Sequence, residues 1–367
     1  MDKMRRLLSS AVLLAALLQN ALIAASPASH RPTRRPVAKR RAPEVDPTLG
    51  DNVDGDDLVI RRAAVDALGT QNGSVVVVDP TTGRVLTMVN QKLALQSGFI
   101  PCSTIKLVTA LAALSEHVVE RSTPVRLGRY TTMDMTTAIA HSNNPYFGVL
   151  GTKLGFERVV RYAKMMGLGE KAGLDIAGEQ PGEVAAEPPK AGGMGLMTAF
   201  GEGFQVTPLE LAALLSAIAN GGTLYYLQHP LTQDDREHFT PQVKRQLELA
   251  PNGIADIKIG MRGAVDYGTA QRAAYDPTEP VLGKTGTCTD FRVGSHMGWF
   301  GSFNEVGAHK LVVVVMLTSP IKSVNGAVAS AVAGSLYRNL SSQRYFAADG
   351  KKSDLPEILV TRPCCGQ

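Results

Sequence analysis

Apolar residues recur along the chain in patterns that distinguish helices from strands. Residues 58–68 have apolar positions at helical spacing, whereas residues 74–79 (SVVVVD) form the short continuous apolar run that is typical of a buried strand. After the turn residues 80–83 (PTTG), residues 84–90 return as a second strand. The start of the domain is therefore predicted to be a helix followed by a β-hairpin.

The middle of the chain is predicted to be helical and its end to return to strands. Helical spacing recurs at 134–140, 145–154, 156–166, 207–219 and 254–274, and polar or Gly/Pro-rich loops are predicted at 178–193 and 228–251. Three strands are predicted at 281–289, 297–303 and 310–317, followed by a closing helix at 326–340. This order predicts an α/β (α+β) fold, in which one antiparallel sheet of about five strands is built from both ends of the domain. Helices would flank this sheet, and a helical subdomain would be inserted between its two halves.

The most apolar helix is predicted directly after residues 101–106 (PCSTIK). Residues 107–114 (LVTALAAL) carry no charge, so this helix should be buried in the core. Ser103 falls at an N-cap or first-turn position, and Lys106 lies three residues on, on the same helix face. A partly desolvated lysine with a lowered pKa can act as the base for a serine hydroxyl. The plainer alternative is a capping serine beside a lysine that reaches solvent, because S-x-x-K spacing alone is common.

Two further stretches of polar residues are candidates for a site. Residues 142–144 (SNN) precede Pro145 between two helical segments, and polar residues before a proline usually form a turn. Residues 284–287 (KTGT) lie in an otherwise apolar strand, where Gly286 would let another chain segment or a ligand approach closely. An edge strand protected by a lysine is the alternative. Neither stretch identifies a site by itself.

Charge and cysteine content exclude some classes of protein. Of the net charge of +5, residues 1–29 contribute +2 and residues 30–41 contribute +6, so the chain from Ala42 onward carries −3. A mildly acidic domain does not fit a nucleic-acid binder, and we predict no nucleic-acid partner. The four cysteines form no C-x-x-C motif and no Cys/His cluster. We therefore predict neither a metal nor a cofactor.

The first part of the chain is typical of an exported protein. Residues 1–25 combine a basic start with an apolar run, which predicts a cleaved signal peptide, or alternatively a membrane anchor. Residues 26–57 are predicted to be a basic, Pro-rich linker that is solvated, with contact to an anionic envelope surface as the alternative. The folded domain is predicted at 58–345, followed by a tail at 346–367.

The three polar stretches occur in the order S-x-x-K, S-x-N and K-T-G, which is the set found in serine β-lactamases and penicillin-binding proteins. From about Asn72 to Leu340 the sequence resembles the transpeptidase domain of penicillin-binding proteins. Segments outside the motifs share this resemblance: VVVVDPTTGRVLTMV, GEGFQVTPLELA, GTA at 268–270 and GWFGSF. The chain departs from the family at Glu202, where the usual G-Q-G reads G-E-G. It also departs in the spacing of only 39 positions between Ser103 and Ser142.

The resemblance implies a role for each motif residue. Three are implied to be catalytic: the acylated nucleophile Ser103, its base Lys106 and the proton relay Ser142. Five are implied to bind substrate: Asn144, Lys284, Thr285, Gly286 and Thr287. Asn144 would hold the substrate amide, and the K-T-G-T stretch would receive the terminal carboxylate. The backbone N–H groups of Ser103 and Thr287 would form the oxyanion hole.

The implied function is that of a serine D,D-transpeptidase in the exported bacterial cell envelope, in the periplasm or at the outer face of the cytoplasmic membrane. Its partners would be the D-Ala-D-Ala stem peptides of peptidoglycan, with β-lactams as covalent inhibitors. A D,D-carboxypeptidase, a serine β-lactamase and an inactive penicillin-recognising sensor are the alternatives. The β-lactamase is less favoured because the sequence has no E-x-x-L-N-type loop. The sensor is less favoured because Ser103, Lys106 and Lys284 are all intact.

The resemblance also brings two cysteines close to the implied site. Cys102 directly precedes Ser103, and Cys288 directly follows Thr287. In an oxidising compartment they could form a disulfide. We favour free thiols, because the side chains next to two facing residues often point apart.

Overall fold

The computed structural model describes residues 46–347, so the predicted signal segment, the basic stretch at 30–41 and residues 348–367 lie outside the described residues. In chain order the helices are α1 Leu58–Leu68, α2 Gln91–Ala94, α3 Lys106–Ser115, α4 Met135–Ala140, α5 Asn144–Leu154, α6 Phe156–Met165, α7 Gly193–Phe200, α8 Pro208–Asn220, α9 Gln233–Glu237, α10 Gly253–Asp266 and α11 Gly326–Ser342. Short 3₁₀ turns lie at Cys102–Ile105 and Gln271–Ala273.

Strands occur at both ends of the domain and as short hairpins between them. They are β1 Gly73–Asp79, β2 Arg84–Val89, β3 Val125–Arg126, β4 Thr132–Met133, β5 Glu183–Val184, β6 Phe204–Gln205, β7 Thr223–Tyr225, β8 Val243–Gln246, β9 Val281–Asp290, β10 Ser295–Asn304 and β11 Val312–Ser319. Five of them form the main sheet in the order β2-β1-β11-β10-β9. All neighbouring pairs in that sheet are antiparallel. The predicted sheet of five antiparallel strands from both ends of the domain is confirmed.

Both faces of the main sheet are buried, which explains its valine-rich strands. Successive side chains of a strand point to opposite faces. Val76 and Val78 of β1 belong to the core that includes α3 and α8, whereas Val75 and Val77 belong to the core that includes α1 and α11. A strand that is covered on both faces needs apolar residues at every position, so 74–79 shows a continuous apolar run rather than alternation.

The helical insertion between β2 and β9 carries the S-x-N motif, as predicted. Residues 142–144 lie where α4 ends and α5 begins. Asn143 is the N-cap of α5, since its side chain accepts a hydrogen bond from the N–H of Tyr146, and Pro145 occupies the first turn. The local sequence therefore starts a helix at the motif and holds its side chains at the helix N-terminus.

The predicted buried helix after residues 101–106 is confirmed as α3, whose residues are all buried except Ser115. Ser103 lies one turn earlier, in the 3₁₀ turn Cys102–Ile105 that leads into α3, and its side chain caps no helix. This turn packs against β9, which is an edge strand of the main sheet. The serine hydroxyl is therefore held between the helical insertion and the sheet edge.

Three predicted segments differ from the structure. The predicted loop 178–193 contains the two-residue strand β5, which pairs with β6 and is too short to show a strand pattern. The predicted loop 228–251 contains α9 and β8, and β8 pairs with β7. Every residue of β8 is at least partly exposed, so its sequence is polar and shows no strand pattern. The predicted helix 254–274 ends at Asp266, because Gly268 approaches the Ala140 carbonyl so closely that a Cβ would lie 2.1 Å from its oxygen. The chain leaves the helix there and brings Thr269 to the motif region.

The segment just before α1 packs against the domain through charged groups. Arg61 of α1 forms salt bridges with Asp51 (2.9 Å) and Asp56 (2.8 Å). The Asp56 carboxylate, which is fully buried, also contacts Nε2 of His229 at 3.0 Å. These contacts hold residues 51–57, within the predicted linker, against the helix and the loop after β7.

Within residues 46–347, no helix combines the length and apolar character needed to cross a membrane.

Candidate active site

Residues from all three motifs meet around the side chain of Ser142. The Lys106 Nζ lies 3.0 Å from the Ser103 Oγ and 3.0 Å from the Ser142 Oγ. On the other side, the Lys284 Nζ donates to the Ser142 Oγ at 2.8 Å. Ser103, Lys106, Ser142 and Lys284 therefore form one continuous chain of hydroxyl and amine groups. Members of this chain that contact each other directly are separated by as many as 142 positions in sequence.

The Lys106 amine is fully buried and surrounded by oxygen atoms. Besides the two hydroxyls, it contacts the Ser142 carbonyl oxygen at 2.7 Å and the Asn144 Oδ1 at 2.6 Å. These two oxygens can only accept hydrogen bonds, whereas a hydroxyl can also donate. A neutral amine would give its two N–H groups to the two obligate acceptors and keep its lone pair for the hydroxyl proton of Ser103.

Burial favours this neutral form of Lys106. Removing the ammonium from water lowers the pKa of Lys106 to about 7. The side chain is also within 5.6 Å of the Phe147 ring centroid, so apolar surface covers one side of it. An amine with this pKa is substantially unprotonated at neutral pH and can take a proton from the hydroxyl beside it.

Lys284 is buried to the same extent and belongs to the same electrostatic unit. Desolvation, together with the nearby charge of Lys106, lowers the pKa of Lys284 well below its usual value. Its amine donates to the Thr285 carbonyl oxygen at 2.9 Å as well as to Ser142. Two ammonium groups on one hydroxyl would repel each other, so a proton on one amine disfavours a proton on the other. A negative charge arriving at Lys284 would favour the proton on Lys284 and leave Lys106 neutral.

Side chains of β9 alternate between two sides of the strand. One side faces the motif cluster, which is the group formed by Ser103, Lys106, Ser142 and Lys284. Lys284 and Cys288 point to the cluster, where they contact Ser142 and Cys102. Thr285 points to the other side, and its hydroxyl lies 2.7 Å from the Thr269 hydroxyl. The residues of K-T-G-T therefore divide between two faces of one strand.

Thr287 and Gly286 lie between these contacts. The Thr287 hydroxyl accepts a hydrogen bond of 2.8 Å from the N–H of Gly326 at the start of α11. Gly286 lies against the chain segment before Ser103, where an added Cβ would be 3.0 Å from the Pro101 carbonyl oxygen. Any larger side chain at position 286 would therefore crowd the segment that carries Ser103.

Two residues of the site have left-handed backbone conformations. Cys102, directly before Ser103, has φ of 52°, and Ser142 has φ of 54°. Residues other than glycine seldom adopt such angles, and they do so mainly where the surrounding structure holds them. The hydrogen bonds from Lys106 and Lys284 hold Ser142, and a covalent bond holds Cys102.

That bond is a disulfide between Cys102 and Cys288, whose Cα atoms are 5.5 Å apart. Our preference for free thiols was therefore wrong. Cys288 lies four positions after Lys284, so the alternation of the strand directs both side chains to the same face. Because that face also meets residues 102–105, Cys288 is directed to the turn that carries Ser103. The even spacing of Lys284, Gly286 and Cys288 is the sequence signal that could have predicted the pairing.

Reducing this disulfide should lower the stability of the domain. It closes a loop across 186 positions, and loop-closure entropy assigns such a cross-link about 5 kcal/mol of unfolding free energy. We expect urea unfolding of the oxidised chain to shift to lower denaturant on adding a reductant.

Two double variants check this prediction. Cys102→Ser/Cys288→Ser should abolish the effect of reductant, whereas Cys364→Ser/Cys365→Ser should retain it. Recovery of Cys102 and Cys288 as alkylated thiols from unreduced protein would contradict the pairing.

The structure adds contacts that motif reading did not assign. Thr269, in the GTA segment, holds the Thr285 hydroxyl, and its N–H donates to the Ala140 carbonyl at 3.1 Å. The Ser103 hydroxyl also lies 3.3 Å from the Ala199 carbonyl oxygen at the end of α7. Trp299 of β10 donates from its ring nitrogen to the Ile100 carbonyl at 3.0 Å. These contacts fix residues 100–103 and β9 relative to each other.

Comparison with known proteins places the chain in one family. The family model described as penicillin binding protein transpeptidase domain matches residues 73–338. Stage V sporulation protein D of Bacillus subtilis is 29% identical over 315 residues, which cover 74% of this chain and 48% of that protein. The peptidoglycan D,D-transpeptidase MrdA of Haemophilus influenzae is 23% identical over 345 residues, which cover 71% of this chain and 52% of that protein. The chain thus spans about half the length of these curated relatives.

Solved structures have the same fold. The apo transpeptidase domain of Burkholderia pseudomallei penicillin-binding protein 3 superposes with a TM-score of 0.68 at 21% identity, covering 80% of this chain and 97% of that one. Pseudomonas aeruginosa PBP2 in complex with WCK 5153 gives a TM-score of 0.67 at 23% identity, covering 83% of this chain and 80% of that one. At these identities the likeness concerns the fold alone. Because the family model spans most of the described residues, including all three motifs, this chain belongs to the penicillin-binding protein transpeptidase family.

Proposed function

We propose that this protein is a serine D,D-transpeptidase, which cross-links peptidoglycan stem peptides ending in D-Ala-D-Ala through an acyl-enzyme on Ser103. The observation that carries the proposal is the buried chain of four groups from the Ser103 hydroxyl to the Lys284 amine. Its relatives named peptidoglycan D,D-transpeptidase, from Haemophilus influenzae and Acinetobacter baumannii, support the same reaction.

The first half of the reaction would acylate Ser103. Neutral Lys106 takes the hydroxyl proton across the 3.0 Å contact while the Ser103 Oγ attacks the carbonyl carbon of the penultimate D-Ala. The C–N bond to the terminal D-Ala then breaks, and the leaving amine receives a proton from Lys106 through the Ser142 hydroxyl. The products are an ester on Ser103 and free D-Ala.

The second half would reverse these roles. The amine of a neighbouring stem peptide attacks the ester carbonyl and loses a proton to Ser142 and Lys106, and the Ser103 Oγ leaves with that proton. A new amide bond forms and the enzyme is restored. Water in place of the amine would make the same chain a D,D-carboxypeptidase, so the acceptor decides between these two activities.

The edge of β9 would bind the end of the donor peptide. Lys284 would attract the terminal carboxylate electrostatically from one face of β9, and the hydroxyls of Thr285 and Thr287, on the other face, would donate to it at the strand edge. That carboxylate would favour the proton on Lys284, which keeps Lys106 neutral for attack. Asn144 would hold a substrate amide, and the N–H groups of Ser103 and Thr287 would stabilise the oxyanion.

The lifetime of a fluorescent penicillin on the protein tests this proposal against its alternatives. A lasting covalent label, absent from Ser103→Ala, is expected of a penicillin-binding protein. A brief label with continuous release of hydrolysed drug would instead indicate a β-lactamase, and no label would indicate a sensor without chemistry. A D-Ala-D-Ala donor peptide offered with an amine acceptor then separates the remaining two activities. Mass spectrometry would show the amide product of a transpeptidase or the shortened acid of a carboxypeptidase.

The proposed reaction places the domain in the bacterial cell envelope, on the outer side of the cytoplasmic membrane, where stem peptides are exposed. Contact of the basic stretch at 30–41 with the anionic envelope surface belongs to the same proposal. Co-sedimentation with anionic vesicles, compared between the full chain and a variant with these six basic residues changed to glutamine, tests it. Equal sedimentation of both proteins would contradict the surface contact.

Replacing Lys284 should impair acylation mainly through the ligand carboxylate. A charge-assisted hydrogen bond is worth about 1.5–3 kcal/mol, so Lys284→Ala should slow acylation by a carboxylate-bearing β-lactam roughly 10- to 150-fold. Lys284→Arg, which keeps the charge, should lose less. Stopped-flow measurement of the second-order acylation rate constant gives these values.

The methyl ester of the same β-lactam is the matched ligand, because it lacks the negative charge. The second-order rate constant for acylation by the methyl ester should respond equally to Lys284→Ala and Lys284→Arg. If both variants were to lose the same rate with the free acid, Lys284 would act through its shape rather than its charge.

A further inference from the structure

A cavity of about 350 Å³ lies beside the segment that carries Ser103. Its lining includes Ile100, Glu183, Glu202 and Arg292. Glu202 is tied to the nucleophile segment through its neighbour Gly201, which has φ of 79°. Gly201 lies so close to Pro101 that an added Cβ would be 2.6 Å from the Pro101 ring. The cavity and the candidate active site are therefore adjacent parts of one surface.

The charges of this cavity do not cancel. Arg292 is engaged by the Asp290 carboxylate through two hydrogen bonds, of 3.0 and 2.7 Å. Glu183 and Glu202 are both exposed, and within residues 46–347 their carboxylates make no hydrogen bond or salt bridge. The hydrogen bond from Asp290, with added attraction from Glu202 and Glu183, raises the pKa of Arg292. Because Asp290 already pairs with Arg292, the carboxylates of Glu183 and Glu202 give the cavity a net negative charge.

The direction of β9 places this cavity along the path of the donor peptide. In the proposed function the terminal carboxylate lies at Thr285 and the scissile carbonyl at Thr287. The residues before the scissile bond would then continue along the strand edge towards Asp290, antiparallel to β9. A strand advances about 3.3 Å per residue, so the part of the donor just upstream of the scissile bond approaches the turn that carries Arg292.

We propose that Glu202, with Glu183, forms a subsite for a positively charged group, an ammonium, on the acyl donor upstream of the scissile bond. The inference rests on the proposed function and deepens it by assigning the charge of the preferred donor. Glu202 is exposed and lines the cavity, so this chain has a carboxylate close to the segment that carries Ser103. An ammonium gains Coulomb attraction there, whereas an anionic group would be repelled by both carboxylates.

Two β-lactams that differ by one amino group test the subsite. Ampicillin carries an ammonium next to its side-chain amide, and benzylpenicillin has hydrogen in that place. The measured quantity is the ratio of their second-order acylation rate constants on the full chain. An exposed ion pair is worth up to about 1 kcal/mol, so Glu202→Gln should lower the ampicillin preference roughly two- to fivefold. Added salt should lower the ratio in the original protein, and it should lower the ratio less in the variant, which keeps only Glu183.

The same comparison in a substrate series uses Nα-acetyl-Lys-D-Ala-D-Ala and its Nε-acetylated form, each competing with a fluorescent penicillin. Glu202→Gln should weaken competition by the first peptide and leave the second unchanged. Glu248→Gln is the matched control, because Glu248 is an exposed residue outside the cavity lining.

The outcomes separate this inference from the proposed function. A drug ratio and a peptide preference that stay the same in Glu202→Gln would overturn the ammonium subsite while β-lactam acylation itself persists. An equal loss of rate with both drugs would also overturn it, since that loss would reflect shape rather than charge. Absence of acylation by either drug would overturn the proposed function and, with it, the subsite.

Discussion

Replacing Ser103 by alanine should abolish covalent labelling by β-lactams while the domain remains folded. Loss of a serine nucleophile removes on the order of 10⁶-fold of the rate, because no other group can take its place in the chain of proton transfers. The cost to stability should be about 1 kcal/mol, since among residues 46–347 Ser103 caps no helix and its hydroxyl has hydrogen-bond contacts with Lys106 and the Ala199 carbonyl alone. Intact-mass spectrometry after incubation with a β-lactam shows the adduct directly.

The matched control is Ser216→Ala in α8. Ser216 is also buried, and its hydroxyl donates to the Ala212 carbonyl at 2.8 Å, so the same chemical change is made in another helix. This variant should acquire the full adduct mass. An adduct that persists on Ser103→Ala would place the nucleophile at another residue.

Replacing Lys106 should slow acylation by roughly 10²- to 10⁴-fold, the usual loss when a general base is removed. Lys106→Met keeps most of the side-chain volume and removes only the amine, whereas Lys106→Ala also opens space for water. Both leave the Ser142 carbonyl and the Asn144 Oδ1 without their buried donor, so folding must be checked by circular dichroism. Lys258→Met, which removes an amine that pairs with Glu305, is the control and should keep the original rate.

The pH dependence of acylation identifies what the amine does. The pKa of Lys106 is lowered from 10.5 to about 7, so the neutral, proton-accepting form dominates above pH 7 and is lost below it. The rate should therefore fall about tenfold per pH unit below 7 and level off above it. In Lys106→Met this inflection should disappear. A wild-type rate that stays constant from pH 5 to 8 would assign the base to another group.

Local patterns were sufficient to predict the fold and the order of the motifs. The valine run of β1, the turn after it and the return of β2 are determined by burial and turn preferences of neighbouring residues. The buried helix α3 follows from an unbroken apolar stretch. Where a strand is polar because both of its sides are partly exposed, as in β8, the same rule misses it.

Much of the site could also be anticipated, because its residues occur as short motifs whose spacing is compatible with a helix or a strand. Lys106 lies on the same side of its helical turn as Ser103, and the Lys106 Nζ is indeed 3.0 Å from the Ser103 Oγ. The roles assigned to these residues stay predictions. What spacing does not give is the partner of each group from another motif, such as the contact of Lys284 with Ser142.

The sequence by itself determined the five strands of the main sheet, most of the longer helices and the residue types that approach the site, because these depend on interactions within a few positions along the chain. Only the tertiary structure decided that Cys102 bonds to Cys288, that Thr285 meets Thr269, and that Glu202 lines a cavity beside the nucleophile segment. The paired groups are far apart in sequence, and each side chain has several directions open to it until the sheet and the helical insertion pack together. That packing also buries Lys106 among four oxygens, and its lowered pKa arises from desolvation, which local sequence does not contain.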